Sequence, residues 1–497
     1  MIKKTFNTEF SVVPTKNKSA IKIKRVVPNE LKLSSSIKEA INKSGLKDGM
    51  TISFHHHFRS GDFILNNVIN IIAEMGFKDL KLAASSLAAI HNPLIEHIKS
   101  GVITEIHTSG LRGELATELS EGLMDKPVII RSHGGRARAI EAGDIKIDIA
   151  FLGVPSSDEY GNANGQSGNT ICGALGYAMV DVEYAEHVIL ITDNLVEYPN
   201  MPASISQKQV DQIVVVDQIG DSAKISSGAT RFTKNPKELL IAKSACDVII
   251  NSPYFKDGFS FQTGSGGSSL AVTRFLRDEM IKNEFTASFA LGGITKPMVE
   301  LHEEGLIKNL FDVQSFDLDA AQSIKRNPNH HEIDASLYAN PHNKGCMTNK
   351  LNVVILSALE IDTDFNVNVM TGSDGKFMGA SGGHCDTAAC ADLTIIVAPL
   401  TRGRIPTIVK NVHTIITPGS SVDVLVTDRG IAVNPLRSDL VELFKKKKLN
   451  LVTVNELELL ASKVVGPKAE INHTDKIVGI VEYRDGSVID VIREVKV

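Results

Sequence analysis

The amino-acid sequence predicts an α/β protein of two tandem, duplicated domains, each built on a mainly parallel β-sheet. The first observation is an internal repeat: AFLGVPSSDEYGNANG at residues 150–165 recurs as VILSALEIDTDFNVNV at residues 354–369. Asp158 in this loop matches Asp362, an offset of 204 residues (362 − 158). A repeat of about 200 residues is too long for a solenoid unit, so it indicates a duplicated domain. The recurring asparagines predict Asx turns that hold the loop.

The second observation is that the repeat extends well beyond this loop. Pro93 matches Pro297 at the same offset, whereas Gly176 matches Gly382 at an offset of 206 (382 − 176). Drift by a few residues is what insertions in surface loops produce. The third observation is the alternation of apolar strand-like runs with helical segments, which is typical of βαβ units on a parallel sheet.

Helices in the first half are predicted where apolar side chains recur at helical spacing between capping residues. Asp62 is the expected N-cap of one helix and Gly76 its end, and Pro93 opens another that ends at Gly101. The helices are expected at residues 33–44, 62–76 and 92–101. Strands are predicted at 51–54, 80–85, 103–107, 127–131, 147–154, 188–192 and 213–216.

The second half follows the same plan. Strands are predicted at 245–251, 258–261, 285–291, 393–399 and 423–427, and helices at 270–280 and 438–447. Residues 477–482 and the turn at Arg484, Asp485 and Gly486 predict a closing hairpin. We therefore expect an N-terminal arm and helix at 1–47, a first domain at 48–230 and a second at 231–497. The junction is expected near residues 221–235, with the two domains tightly packed.

Composition narrows the class of protein. The net charge of −5 and the pI of about 6.3 argue against nucleic-acid binding, since a phosphate-binding surface needs a dense basic face. Five cysteines without a CxxC pair indicate reduced thiols, and the sequence shows neither a signal peptide nor a long apolar run. We therefore expect a cytoplasmic protein with no membrane contact. Cys385 and Cys390 lie near His384, but their spacing fits no common zinc pattern, so no metal is expected.

Glycine-rich turns at predicted strand ends are the main candidates for a ligand site. Residues 264–269, GSGGSS, follow a strand and open a helix, where free backbone N–H groups attract a phosphate, a carboxylate or a thioester carbonyl. The segment lacks the Lys of a Walker A loop, and a tight turn without a ligand remains the alternative. Glycine pairs also end other strands, where α/β sheets bind ligands. The candidates are Gly264, Ser265, Gly266, Gly267, Ser268, Gly292, Gly293, Gly382, Gly383 and His384.

The first copy carries residues 55–59, HHHFR, where the second copy has these glycines, so we expect one composite site rather than two equivalent ones. Three consecutive histidines cannot all point one way, and neutral histidines lining a polar pocket are favoured over a metal cluster. Arg59 is a candidate for bidentate pairing with a substrate carboxylate, together with His57 and Arg136. Glu360, which ends a strand in the second copy only, is a candidate catalytic carboxylate.

Three strings resemble the citrate lyase alpha chain family: GRARAIEAGD at 135–144, GGHCDTA at 382–388 and VTDRGIAVNP at 426–435. The likeness covers nearly the whole chain. This resemblance implies the CoA-transferase fold, whose two similar α/β domains agree with the duplication. It also implies a citrate CoA-transferase activity, in which citrate reacts with an acetyl thioester on an acyl-carrier protein to give citryl thioester and acetate.

The same resemblance implies the partners of the chain. They are a citryl lyase beta chain and an acyl-carrier gamma chain in an oligomeric complex, with citrate, acetate and CoA thioesters as ligands. No cofactor is expected to be bound covalently, and the chain would use acetyl-CoA or the CoA-like prosthetic group of the carrier. A citramalate CoA-transferase and an acyl-CoA hydrolase remain alternatives, as does a ligand-sensing protein of this fold.

The family likeness also bears on the mechanism. Many CoA-transferases form a thioester on a glutamate that follows the glycine loop of the second domain. The comparable strand end here, residues 289–293, reads FALGG and holds no carboxylate. This departure fits the citrate lyase type, in which citrate attacks the acetyl thioester through a mixed anhydride while backbone N–H groups stabilise the oxyanion. The resemblance assigns no catalytic residue.

Overall fold

The computed structural model describes residues 30–226, 233–264 and 266–496. Residues 1–29 of the N-terminal arm and helix predicted at 1–47, part of the predicted junction and the candidate Ser265 lie outside these residues. The elements of the first half are β1 (Leu33–Ser34), α1 (Ile37–Ser44), β2 (Thr51–Phe54), α2 (Ile64–Glu74), β3 (Leu80–Ala84), α3 (Leu94–Lys99), β4 (Ile103–Thr108), α4 (Glu114–Ser120), β5 (Val128–Ile130), α5 (His133–Ala142), β6 (Ile149–Gly153), β7 (Ser156–Asp158), β8 (Ala163–Asn164), α6 (Gly176–Tyr184), β9 (His187–Thr192), β10 (Leu195–Val196) and β11 (Gln212–Val215).

The second half repeats the alternation of strands and helices. Its elements are α7 (Pro236–Ile250), β12 (Ser260–Thr263), α8 (Gly267–Asn283), β13 (Ala287–Ile294), α9 (Lys296–Glu303), β14 (Ile307–Ser315), α10 (Leu318–Arg326), β15 (His330–Glu332), α11 (Ala335–Ala339), β16 (Val353–Ser357), β17 (Glu360–Asp362), β18 (Val367–Asn368), α12 (His384–Cys390), β19 (Leu393–Val397), β20 (Thr401–Arg402), β21 (Ile405–Pro406), β22 (Ile408–Val409), β23 (Val424–Thr427), β24 (Gly430–Val433), α13 (Ser438–Lys446), α14 (Val454–Val465), β25 (His473–Glu482) and β26 (Val488–Val495).

Two large sheets carry the fold, and both are mainly parallel, as predicted. The ten-stranded sheet has the order β1-β11-β9-β6-β2-β3-β4-β5-β25-β26, and β26 runs antiparallel to β25. The eight-stranded sheet has the order β15-β14-β13-β12-β16-β19-β23-β24, and β24 runs antiparallel to β23. Interior strands such as β9 and β19 are buried along nearly their whole length, which explains their uniformly apolar sequences.

The duplication is visible in the geometry of the repeated loop. β7 pairs antiparallel with β8, and β17 pairs with β18 in the corresponding register. The aspartate of each loop holds its turn: Asp158 Oδ1 accepts the backbone N–H of Asn162, and Asp362 Oδ1 accepts that of Asn366. These are the Asx turns that the sequence predicts, so the loop recurs because its hydrogen bonds shape the same turn twice.

One predicted strand is wrong, because residues 245–251 fall at the end of helix α7. Asn235 caps this helix and Pro236 opens it, and buried side chains continue at helical spacing as far as Ile249. A short apolar run does not by itself distinguish a buried helix end from a buried strand. Residues 33–34 likewise form β1 instead of the first turn of α1, because that helix starts only after a serine cap.

The C-terminal hairpin was predicted and is confirmed, but it joins the first sheet rather than the second. β25 pairs in parallel with β5, with Gly479 opposite Val128. Without the hairpin, β5 would be an edge strand with unpaired backbone groups. Residues 473–495 therefore extend the sheet of the first half, although the domain bounds predicted from the sequence place them in the second domain, 231–497.

A single hydrophobic core cluster crosses the boundary between the two halves. It joins Ile52 and Phe151 of the first half to Tyr338, Leu356 and Ile396 of the second. Such a shared core holds the halves in close contact, as expected from the absence of a flexible linker in the sequence. In the part of the chain that the structure describes, no helix has the length and apolar character needed to cross a membrane.

Candidate functional site

A cleft of about 400 Å³ opens where the two halves meet. Residues at the carboxyl ends of β2, β3, β4 and β5, or in the segments that follow them, form the wall from the first half. The facing wall is formed by residues at the carboxyl ends of β12, β13, β14 and β16 or just beyond them, together with Tyr338, Val369 and residues 380–384. Parallel strands in α/β proteins present their carboxyl ends to ligands. The strand ends of the two copies therefore meet in one shared cleft.

The structure brings some of the residues predicted from the sequence into this cleft and leaves others outside it. The candidates that line the cleft are Gly264, Gly266, Gly293, Gly382, Gly383, His384 and Arg59. Gly267 and Ser268 lie in the first turn of α8, and Gly292 lies within β13, outside the lining. His57 and Arg136 are also outside it.

The start of helix α8 faces the cleft. Gly266 is the N-cap residue, and none of the side chains that the structure describes accepts an N–H group of the first turn. A Cβ atom at Gly266 would lie only 2.4 Å from Ser357 Oγ, and that hydroxyl lies 3.1 Å from Ser269 Oγ. A side chain at Gly266 would therefore have to displace the Ser357 hydroxyl, because the loop approaches β16 closely at this point. Uncapped N–H groups and the positive end of the helix dipole favour an anion at this point.

Other glycines of the candidate set are needed for packing. A Cβ atom at Gly293 would lie 2.3 Å from Cζ of Phe316, and one at Gly383 would lie 2.4 Å from Oη of Tyr338. Gly292 has φ +101° at an irregularity in the pairing of β13 with β14. The Gly292 backbone thus requires glycine whether or not a ligand binds.

Two arginines form a positive wall of the cleft. Arg59 and Arg112 follow β2 and β4, and both line it. The Arg59 guanidinium lies 4.6 Å from the centre of the Phe316 ring, and its Nη1 is buried with no hydrogen-bond partner among the described residues. Burial and, next, the charge of Arg112 lower the pKa of Arg59 to about 10. Two cations held close together in a cleft disfavour each other's charge and favour a bound anion.

Among the residues that the structure describes, no carboxylate offsets this charge: no Asp or Glu lines the cleft, and no ion pair joins either arginine to a carboxylate. Arg59 also holds φ +52°, a left-handed conformation that is uncommon for arginine and clusters at functional sites. Arg112 was not among the residues predicted from the sequence. The signal that could have indicated it is its position in the loop after the strand predicted at 103–107, directly before Gly113.

Two of the predicted carboxylate-binding residues are engaged elsewhere. The guanidinium of Arg136 donates to both carboxylate oxygens of Asp181, at 2.7 and 2.8 Å, and to the backbone oxygen of Ala83. Both partners of this ion pair are buried, so Arg136 holds α5 against α6 instead of facing a ligand. His57 is buried beside a small separate cavity that it shares with Phe58.

His384 lines the cleft, but both of its ring nitrogens are already hydrogen-bonded. Nδ1 lies 2.7 Å from Thr417 Oγ1, and Nε2 lies 2.9 Å from the backbone oxygen of Ser357. Burial lowers the pKa of His384 to about 4, so the ring is neutral. A neutral ring next to a carbonyl acceptor carries its proton on Nε2 and donates it to Ser357. His384 therefore positions the end of β16.

A group of three aromatic rings forms another part of the lining. The sequence favours neutral histidines of residues 55–57 in a polar pocket, whereas His133 and Tyr177 were not among the predicted residues. His56, His133 and Tyr177 all line the cleft. The ring centre of His56 lies 5.1 Å from that of Tyr177 and 5.7 Å from that of His133, and the rings are close to parallel. Of the three consecutive histidines, His56 is thus the one that lines the cleft.

The other chemically notable residues lie away from the cleft. Glu360 is buried, with Oε1 2.8 Å from Nζ of Lys468 and Oε2 accepting the backbone N–H of His413. It is therefore a structural carboxylate. Arg484 donates to the sulfur of Cys390 at 2.9 Å. Across residues 30–226, 233–264 and 266–496, no group of His, Cys, Asp or Glu is placed to hold a metal ion.

The sequence of the chain is similar to that of a known protein family over almost its full length. A family model described as citrate lyase, alpha subunit (CitF), matches residues 30–495. The citrate lyase alpha chain of Escherichia coli is 61% identical over 465 residues, covering 94% of this chain and 91% of that protein. The citrate lyase alpha chain of Haemophilus influenzae is also 61% identical, covering 94% of this chain and 93% of that protein.

The chain is also similar to several solved structures. One, described as the alpha subunit of citrate lyase from Streptococcus mutans in complex with citrate, is 59% identical with a TM-score of 0.96, covering 99% of this chain and 96% of that chain. A Pseudomonas malonate decarboxylase hetero-tetramer in complex with malonate is 13% identical with a TM-score of 0.66, covering 87% of this chain and 86% of that chain. A variant of RipA is 18% identical with a TM-score of 0.63, covering 87% and 97%. These last two share the fold alone.

Proposed function

This chain belongs to the citrate lyase alpha subunit family, and on that premise we propose that it works as the citrate CoA-transferase component of citrate lyase. It exchanges acetyl for citryl on a carrier thioester, so that citrate and acetyl thioester give citryl thioester and acetate. The thioester belongs to acetyl-CoA or to the CoA-like arm of an acyl-carrier gamma chain. A separate beta chain then cleaves the citryl group.

The observation that carries this proposal is the charge distribution of the shared cleft. Arg59 and Arg112 line it together with the uncapped start of α8, and none of its described lining residues is Asp or Glu. Citrate carries three carboxylates, and an arginine guanidinium can bind a carboxylate with two parallel hydrogen bonds. The Streptococcus mutans relative is described in complex with citrate, which supports citrate as the acid.

The two walls have different tasks in this proposal. The arginines of the first half hold carboxylates of citrate, and the N–H groups at the start of α8 face the thioester carbonyl. A tetrahedral intermediate places negative charge on that oxygen, which preorganised N–H donors stabilise. The residues assigned to the thioester are Gly264 and Gly266, with Gly293, Gly382 and Gly383 shaping the wall around them.

Citrate supplies the nucleophile in this mechanism. The cleft offers no carboxylate of its own among the described residues, and Glu360 is engaged with Lys468. A carboxylate oxygen of citrate therefore attacks the acetyl carbonyl carbon and displaces the thiolate, which gives an acetyl–citryl anhydride. The thiolate then attacks the citryl carbonyl carbon and releases acetate. Holding both reactants in one cleft makes each step effectively unimolecular.

Transfer between labelled substrates tests the proposal directly. The purified chain is incubated with acetyl-CoA and carbon-labelled citrate, and citryl-CoA and acetate are measured by mass spectrometry. Labelled citryl-CoA and acetate are expected in equal amounts. CoA release without citryl-CoA would indicate a hydrolase, and transfer to citramalate but not to citrate would indicate the citramalate enzyme. No transfer by a folded chain would refute the proposal.

A further inference from the structure

His56 is held in a single orientation at the point where the two halves meet. Its ring stacks on Tyr177 and His133 at interplanar angles of 24° and 19°. Its backbone oxygen accepts a hydrogen bond of 3.0 Å from Nε2 of Gln314, which belongs to the second half. A residue fixed from both sides keeps its ring in place without help from a ligand, as preorganised catalytic groups do.

The contacts of Ser85 determine which ring nitrogen of His56 carries the proton. Ser85 Oγ accepts the backbone N–H of His56 at 3.0 Å and lies 2.6 Å from its Nδ1. Ser85 is fully buried, and its hydroxyl has no other acceptor in the described part of the chain. A buried hydrogen-bond donor without an acceptor destabilises the folded state by about 1–3 kcal/mol. The hydroxyl therefore donates to Nδ1, and the proton of the neutral ring is on Nε2.

The ring is neutral because its surroundings disfavour a positive charge. Burial lowers the pKa of His56 well below its usual value, and so do the nearby His133, Arg59, His57 and His55, in that order. A neutral imidazole has one N–H donor, and here the donor is Nε2. Nε2 hydrogen-bonds to no residue in the described ranges, on a ring that lines the cleft.

We propose that His56 is a catalytic residue, whose Nε2–H donates a hydrogen bond to the carbonyl oxygen of the reacting acyl group. This inference rests on the proposed transferase function and adds a side-chain donor from the first half to the backbone donors of α8. The two donor sets would approach the reacting oxygen from opposite walls of the cleft. Ser85 is the positioning residue that sets the tautomer of His56.

The hydrogen bond acts at each acyl-transfer step without transferring a proton. When a citrate oxygen attacks the acetyl carbon, a C–O bond forms and the C=O π electrons move to the oxygen that His56 faces. Collapse re-forms C=O, breaks the C–S bond and releases the thiolate with the electron pair. Attack of the thiolate on the citryl carbon forms the new C–S bond and expels acetate with the C–O electron pair. Atoms and charges balance, and His56 keeps its proton.

Two substitutions at His56 distinguish loss of the Nε2–H donor from loss of the ring itself. In His56→Gln the side-chain amide nitrogen reaches the place of Nε2, whereas in His56→Asn it reaches only the place of Nδ1. Loss of one oxyanion donor lowers kcat about 10²- to 10³-fold, so His56→Asn should lose that much and His56→Gln much less. The control is His97→Gln, on the surface helix α3, where the ring contacts Asn70 and turnover should be unchanged.

The outcomes distinguish this inference from the proposed function on which it rests. Absence of citryl transfer by the wild-type chain would remove the proposed function itself. Transfer by the wild type together with an unchanged kcat in His56→Asn would overturn the role of His56 alone. An equal loss in His56→Gln and His56→Asn would do the same, because a structural role of the ring would not be rescued by a correctly placed amide.

A spectroscopic measurement tests the tautomer independently of activity. The ring ¹⁵N resonances of His56, assigned by their loss in His56→Gln, should show a protonated Nε2 and an unprotonated Nδ1 at pH 7. In Ser85→Ala the hydroxyl donor is gone, so both neutral tautomers should be populated and kcat should fall several-fold. A proton on Nδ1, or on both nitrogens, in the wild-type chain would contradict the inference.

Discussion

Replacing Arg59 with methionine should make the ligand-free protein more stable and, at the same time, unable to bind citrate tightly. Arg59 places a buried cation on the face of the Phe316 ring, with Arg112 close by and no described carboxylate in the cleft. In Arg59→Met an uncharged side chain of similar length can pack on the same ring. The variant therefore removes the charge while keeping most of the apolar contact.

The expected size of both effects follows from the geometry. The pKa of Arg59 is lowered to about 10, mainly by burial. At 1.36 kcal/mol per pKa unit, keeping this guanidinium charged in the empty cleft costs about 3 kcal/mol, which is the upper limit of the gain in free energy of unfolding. Hydrogen bonds to charged groups contribute about 1.5–3 kcal/mol, so the Kd for citrate should rise about 10- to 150-fold.

Calorimetry measures both quantities on the same samples. Scanning calorimetry without ligand should show a higher melting temperature for Arg59→Met, and titration calorimetry should show its weaker citrate binding. Arg274→Met, which removes an exposed arginine of α8, is the matched control and should change neither. If Arg59→Met binds citrate as the wild type does, Arg59 is not a citrate ligand. A lower melting temperature would refute the argument from its buried charge.

Two further predictions concern the start of α8 and a buried carboxyl group. In Gly266→Val the new Cβ would lie 2.4 Å from Ser357 Oγ and displace the loop, so transfer should fall at least about 10²-fold with an unchanged circular dichroism spectrum. Unchanged turnover would exclude this loop from the site. Burial raises the pKa of Glu332 to about 7, whereas the same group in the unfolded chain titrates near pH 4.5. Between these two pH values the folded chain keeps a proton that the unfolded chain has released, so the contribution of Glu332 to the free energy of unfolding falls as the pH rises. In urea titrations the free energy of unfolding of Glu332→Gln should therefore fall less between pH 5 and pH 8 than that of the wild type, and equal decreases would contradict the assignment.

The features that the sequence predicted correctly depend on local patterns that occur twice. The loop at residues 150–165 recurs at 354–369 because the same aspartate and asparagine hydrogen bonds form in both copies. Parallel strands are recognisable because burial on both faces makes them apolar throughout. Because ligand sites lie at the carboxyl ends of such strands, the sequence also indicates Arg59 and the glycine turns as candidate site residues.

The features that the sequence could not supply depend on contacts between distant residues. The partner of Arg136 is Asp181, on another helix, and nothing in the local sequence connects them. Which of three consecutive histidines faces the cleft is decided by the path of the backbone after β2. The sequence showed the C-terminal hairpin but not the strand that it pairs with, because β25 pairs with β5 across more than 300 residues of chain.

The central claim is that citrate reacts directly with the thioester, with no covalent intermediate on the protein. A single turnover with citrate labelled with ¹⁸O in its carboxylates tests it most directly. In the direct route the bridging oxygen of the anhydride comes from citrate and leaves with acetate, so the acetate should carry one ¹⁸O atom. Unlabelled acetate in the first turnover, with ¹⁸O incorporated into a glutamate of the chain, would contradict the claim.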